Sequence, residues 1–266
     1  MDSSCCYREQ VAYALYSTFR EPKLYRMAAN GNWDLIPARC CSHPKEVAFV
    51  HKYAPNDTVL HRLLRPSSCT NQQPHHSVKQ EKDQSVEATI IDEESSVLQH
   101  EIDQMKLAAA AALLDTDPEI ATRPDAFGRT PLHLVCSDAH FSDINQAICQ
   151  LLLPTASHPS AAHAMLLAKD VEGRTPVHAL LLRTSPSQSP IELPLDLLQQ
   201  MVTICPEAVQ VKDVVRETPL DIAIRRSEEI LHSDRVVQLL RESCPESSYD
   251  PQQRTRRHGV TLVSKS

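Results

Sequence analysis

Apolar residues lie along the chain in short clusters at helical spacing, and the clusters come in pairs separated by breaks containing Pro, Asp and Thr. The pattern predicts an inner helix over 131–137 followed by an outer helix over 144–153. Further pairs fall over 176–183 and 195–205, and over 219–226 and 233–243. Nearer the start, the run from Leu24 predicts a short helix stopped at Gly31 and another beginning around Trp33, with Asp34 favouring its N-terminus. Residues 105–114, Met-Lys-Leu followed by an alanine run and two leucines, predict a strong outer helix. Residues 8–19 carry enough helical period for one short helix that would cover an end.

Each inner helix is introduced by the same block. Gly128-Arg129-Thr130-Pro131-Leu132-His133 recurs as Gly173-Arg174-Thr175-Pro176-Val177-His178 and as Arg216-Glu217-Thr218-Pro219-Leu220-Asp221, with a worn copy at Asn56-Asp57-Thr58-Val59-Leu60-His61. Asp125 with Gly128, and Asp170 with Gly173, suit a tight turn in which Gly adopts a positive φ without steric cost. Thr then caps a free backbone N–H, and Pro occupies the first helical position, where its missing donor costs nothing. A second anchor is a Pro just after each outer helix, at Pro44, Pro118, Pro159 and Pro206. From anchor to Thr the chain runs 12 residues at Pro118 and Pro206, 14 at Pro44 and 16 at Pro159.

From Thr58 to Pro118 is 60 residues, against 29 and 31 for the next two such intervals. The first unit therefore holds about 30 residues beyond the helix-pair pattern. Residues 67–97 are rich in Ser, Gln, His, Lys and Glu and poor in packing residues, so they read as a disordered insertion, with order resuming near Leu98. Residues 79–103 hold eight acidic residues and two lysines, so nearly all of the net charge of −7 is local to this stretch.

Asp-x-x-Gly-Arg-Thr-Pro-Leu-His opening a helical hairpin resembles the ankyrin repeat, whose signature is Thr-Pro-Leu-His-x-Ala at a period near 33. The match is specific at 128 and 173 and partial at 216, where Arg216 stands for Gly and Asp221 for His. At 56 both Pro and Gly are missing. Spacings between the Thr residues of 72, 45 and 43 exceed that period, so the loops are long, as in the ankyrin variants common in algae of the diatom type. The resemblance implies an all-α helical solenoid of four to five helix pairs over residues 24–244, preceded by a segment 1–23 and followed by a flexible tail 245–266. It also implies a concave surface that binds other proteins and no chemistry of its own. His61, His133 and His178 are then structural, tying inner helices to turns by ring hydrogen bonds, and His133 beside Cys136 is a repeat histidine next to a core thiol.

In that geometry the positions four and seven or eight after each Thr face the concave side. They are Arg62 and Arg65; Leu134, Ser137 and Asp138; Ala179, Leu182 and Arg183; and Ile222, Arg225 and Arg226, with Arg129 and Arg174 on the turns above. The groove is expected to be Arg-rich with an apolar strip. The planar fork of Arg suits carboxylates and phosphates, so the expected ligand is an acidic or phosphorylated peptide. Arg129 and Arg174 have no structural duty visible in the block, which makes them the foremost site candidates. The acidic insertion is expected to compete for the groove from within the same chain, since about 30 flexible residues span roughly 30 Å. Within it, residues 89–96 have the apolar run and acidic flank of a strand-adding motif. Ser185-Pro186 and Ser189-Pro190 offer phosphorylation sites in an exposed loop.

Composition narrows the alternatives. Four glycines leave no phosphate-binding loop, and neither a nucleophile elbow nor an HExxH is present, so catalysis is not expected and no cofactor or metal is assigned. Scarce aromatics and the absence of a basic stripe disfavour nucleic acid, Arg254 to His258 being too short a patch to weigh. The N-terminus lacks the basic start and apolar run of a signal peptide, no stretch has the apolar length of a membrane span, and the nine cysteines show no Cys-x-x-Cys spacing. An intracellular, cytoplasmic or nuclear monomer is the expectation. The alternative reading is a thiol- or metal-responsive regulator using Cys5-Cys6 and Cys40-Cys41-Ser42-His43.

Overall fold

The computed structural model describes residues 22–50, 57–65, 87–139, 141–153, 159–184 and 190–243. The expected helix over 8–19, the tail from 245, Cys5-Cys6, the motifs at Ser185 and Ser189 and the 254–258 patch lie outside the described residues. Among the described residues the protein is all-α. Its helices are α1 (Lys23–Ala29), α2 (Ile36–Ser42), α3 (Val59–Leu64), α4 (Glu87–Thr116), α5 (Pro131–Cys136), α6 (Asp143–Leu152), α7 (Pro159–Leu167), α8 (Pro176–Leu181), α9 (Leu195–Ile204), α10 (Pro219–Arg225) and α11 (Ser233–Glu242). Extended pairing is confined to two isolated bridges, Val50 with Thr58 and Ile191 with Ile230.

The short helices start where the block requires. Thr58, Thr130, Thr175 and Thr218 are extended N-cap residues, each closing a capping box with the residue three positions on. In the first three copies that residue is histidine. The Nδ1 of His61, His133 and His178 accepts the backbone N–H of its Thr at 3.3, 3.1 and 3.1 Å. Nδ1 is therefore unprotonated, and Nε2 carries the hydrogen. That hydrogen is donated to a carbonyl of the following turn: His61 to Arg129 at 2.9 Å, His133 to Arg174 at 3.0 Å and His178 to Glu217 at 3.3 Å. One ring thus caps its own helix and ties down the next unit. In the last copy Asp221 supplies the cap alone, its carboxylate accepting the Thr218 N–H at 3.1 Å.

The turns repeat this logic. Asp125 Oδ1 accepts the Phe127 and Arg129 N–H groups, and Asp170 Oδ1 those of Glu172 and Arg174. Successive turns are stitched together as Val171 N–H donates to the Phe127 carbonyl at 2.8 Å and Val214 N–H to the Glu172 carbonyl at 2.9 Å. Gly128 and Gly173 have φ of +73° and +74°, and a Cβ on Gly128 would stand 2.9 Å from the Lys169 carbonyl oxygen. Arg216, the third residue of this kind, holds φ +64° without glycine.

Packing follows two rows. In the inner row α1 meets α3, α3 meets α5, α5 meets α8 and α8 meets α10; in the outer row α2 meets α4, α4 meets α6 and α9 meets α11. The aliphatic residue opening each inner helix (Leu60, Leu132, Val177, Leu220) is buried in one continuous core. Three of the Pro anchors begin short 3-10 turns, Pro44–Glu46, Pro118–Ala121 and Pro206–Gln210. At Pro159 the four extra residues before Thr175 lengthen the element into α7, which packs on α8, α9 and the 206–210 turn.

The insertion departs from expectation. Helix α4 begins at Glu87, so residues 87–97 are helical rather than disordered, and 89–96 do not form an extended motif; residues 67–86 lie outside the described residues. The physical reason is propagation: once the packed part of α4, with Ala109, Ala110 and Leu113 buried, has nucleated, each further residue costs little. Val97 and Leu98, near the junction, are 60% and 59% exposed. It also carries the acidity. Of the eight acidic residues in 79–103, six lie in α4, whereas 67–86 hold two acids and two lysines. Most of the acidity expected of a competitor for the groove is thus carried on a helix rather than on an extended segment.

Candidate functional site

The arginines expected to line a free groove are for the most part committed to the fold. Arg129 is not idle: its Nε and Nη2 reach Asp125 Oδ2 at 3.0 and 2.9 Å, and its guanidinium covers the Phe127 ring at 4.8 Å. Arg65 joins the same carboxylate at 3.4 Å and Asp57 at 2.7 Å, bracing one turn against the next. Arg174 pairs with Glu172. Arg225 grips Glu217 with two bonds of 3.0 and 2.9 Å. Arg226 is buried, donating to the Leu181 carbonyl at 2.6 Å and to Glu229. Of the expected site residues, Leu134, Ile222 and Arg226 are buried against their neighbours, and Arg183, 6% exposed, keeps only an edge on the cleft between the second and third turns. Asp138, half-buried, accepts from Asn145 at 2.9 Å, and the side chain of Arg62 makes no hydrogen bond or ion pair among the described residues, its backbone N–H donating to the Thr58 carbonyl at 3.1 Å.

Since Arg129 is about a third exposed, its ion pair is a modest contribution. Arg129→Met is expected to lower stability by about 1 kcal/mol, read by chemical denaturation. No loss at all would return Arg129 to the list of residues kept for binding alone.

What the structure does bring together is a cleft of about 300 Å³ between the second and third turns, whose lining includes Arg129, Arg174, Leu182 and Arg183 with Ser137 and Thr184. Arg65 and Arg174 each leave a buried Nε without a partner, and Arg183 is the least satisfied of the three. Its Nη2 donates to the Glu192 carbonyl at 2.7 Å and its guanidinium stacks on Phe141 at 4.9 Å, yet Nε and Nη1 have no partner among the described residues. Burial pushes its pKa below the ordinary guanidinium value, opposed by Cys136 and Asp138. The lip of the cleft is apolar. Phe127 and Val171 are 46% and 64% exposed, and the ridge continues to Val214 and Val215 on the next turn. The hydrogen bonds between turns place these residues side by side. Sequence reading missed the ridge, although its signal was present: a large apolar residue between Asp and Gly, where turns ordinarily carry polar residues.

The histidines are fully occupied, and burial lowers the pKa of all three against the opposing pull of their backbone hydrogen bonds. Cys136 is buried, and its contact with Cys149 together with burial raises its pKa well above the usual thiol range. With the His133 ring engaged at both nitrogens, the two do not form a nucleophile pair. Burial raises the Cys40 thiol to about 11, and Cys40, Cys41 and His43 do not converge on one point. Among the described residues the set that does converge is His163, Cys205 and Glu207.

No protein-family model matches the chain, and no curated protein matches it. No helix among the described residues is long and apolar enough to cross a membrane.

Proposed function

We propose that the chain is a non-enzymatic protein–protein interaction adaptor built as an ankyrin-type solenoid, and that it takes an acidic or phosphorylated peptide across the cleft between its second and third turns. The solenoid reading is supported by the two rows of stacked helices and by capping histidines that each reach the following turn. The observation that carries the ligand is the pairing of an exposed apolar lip, Phe127 and Val171, with the partly unsatisfied guanidinium of Arg183 on the cleft wall. An apolar ridge supplies affinity through burial, and a carboxylate or phosphate reaching Arg183 supplies orientation.

A peptide array with acidic, phosphorylated and neutral sequences around one apolar residue tests this. Acidic and phosphorylated peptides are expected to be selected, with weaker binding at higher salt. Phe127→Ala combined with Val171→Ser, both at exposed positions, is expected to weaken binding about tenfold or more. Selection of neutral peptides, or unchanged binding by this variant, overturns the assignment.

A further inference from the structure

We infer that His163, Cys205 and Glu207 form a binding site for a divalent transition-metal ion of the zinc class, joining α7 to the unit that follows it. His163 Nε2 stands 3.3 Å from Glu207 Oε2, and Cys205 Sγ 3.6 Å from the same oxygen. All three ligand atoms lie within 4.8 Å of one another. Nitrogen, sulfur and oxygen atoms held about 2.0–2.3 Å from one ion at tetrahedral angles stand about 3.3–3.6 Å apart. The two distances to Glu207 fall in that range, and the third, between His163 and Cys205, is held within 4.8 Å, so the three side chains converge on a volume that an ion can occupy.

The chemistry of the donors agrees. Imidazole, thiolate and carboxylate are the ligand types zinc prefers, and one thiolate with one carboxylate neutralises a divalent cation. On binding, a metal–sulfur bond replaces the thiol S–H, whose proton passes to solvent, and His163 ligates through an unprotonated Nε2, its one ring hydrogen carried on Nδ1. Cys205 is buried at the floor, whereas His163 and Glu207 are 43% and 63% exposed, so the ion enters from solvent and keeps an open coordination position there.

The site also accounts for an oddity of the architecture. His163 exists in this place only because the third Pro anchor is four residues longer and forms α7 instead of a 3-10 turn. Cys205 ends α9, and Glu207 stands in the Pro206–Gln210 turn on which α7 packs. A bound ion would cross-link these elements behind α8, the helix leading to Arg183.

Titration of the reduced, metal-free full-length chain with Co²⁺ tests the site, and Zn²⁺ competition gives the affinity. The expected result is one Co²⁺ per chain with a thiolate-to-cobalt charge-transfer band, displaced by Zn²⁺, and a thermal midpoint raised by Zn²⁺ and restored by chelator. His163→Gln and Glu207→Gln, at exposed positions that spare the core, should each weaken binding more than about tenfold and abolish the Zn²⁺-dependent shift. Cys205→Ser should remove the charge-transfer band. No thiolate band in the parent chain overturns the proposal. So does a band with unchanged affinity in His163→Gln and Glu207→Gln, because it would belong to other cysteines among the nine.

Discussion

Gly128→Ala is expected to lower stability by about 2–4 kcal/mol, combining the cost of a left-handed backbone for a residue with a Cβ and the cost of overpacking. The second term arises because the turn of the next unit lies against Gly128: its Cβ would meet the Lys169 carbonyl oxygen at 2.9 Å and Asp170 Cα at 3.1 Å, both backbone atoms that cannot swing away. Gly173→Ala should cost less, since its nearest neighbours are 3.2 and 3.3 Å away. Arg216→Gly should change stability by less than about 1 kcal/mol, because Arg216 has the same positive φ but stands exposed in the last turn. Urea unfolding of the three variants gives the ranking directly. A gain from Arg216→Gly as large as the loss from Gly128→Ala would mean that backbone conformation alone, and not turn-on-turn contact, demands glycine.

His133→Ala is expected to cost about 3 kcal/mol, since it leaves the Arg174 carbonyl and the Thr130 N–H without their partner in a buried place. The same rings set a pH dependence. The pKa values of His61, His133 and His178 lie below the ordinary 6.5, with burial the first cause in each case. Unfolding therefore takes up protons between those lowered values and 6.5, so stability rises with pH through that window. The contribution is complete above 6.5 and is lost as pH falls through the folded-state values. Acid lowers stability here by charging the ring, which breaks its acceptor role toward Thr. Thermal midpoints between pH 7.5 and 5 should fall for the parent chain and fall less steeply for His133→Asn, while a slope unchanged by that substitution would contradict the assignment.

The start of every inner helix was legible in sequence because its causes are local. Thr130 caps, Pro131 fits the first turn and Leu132 opens the apolar face, so the element needs only neighbours in the chain to announce itself. The two departures at the fourth copy, Arg216 and Asp221, were also visible but had no explanation until the next turn was seen to be what Gly128 makes room for and His133 bonds to. No further turn covers the last copy among the described residues, so neither glycine nor histidine is required there.

The front of α4 was misread because composition measures what a segment can bury, whereas residues 87–97 gain order from the packed helix behind them. The site was misread for a different reason. Repeat position placed Arg129, Arg174 and Arg225 correctly near turns and inner helices, but partners such as Asp125 and Glu217 lie within a few residues of them and absorb their charge. Arg183 has no acid beside it in sequence, and it was indistinguishable from the others before its burial was known.

By itself, then, the sequence determined the units: where each Thr-led inner helix begins, which residue caps it, where the anchors fall and that one anchor is longer than the rest. These follow from backbone chemistry acting over a few residues. Tertiary structure alone decided which arginines are spent, that Phe127 and Val171 share one lip, and that His163 meets Cys205 and Glu207. Those are distances between residues some 40 positions apart, set by the stacking of one unit on the next.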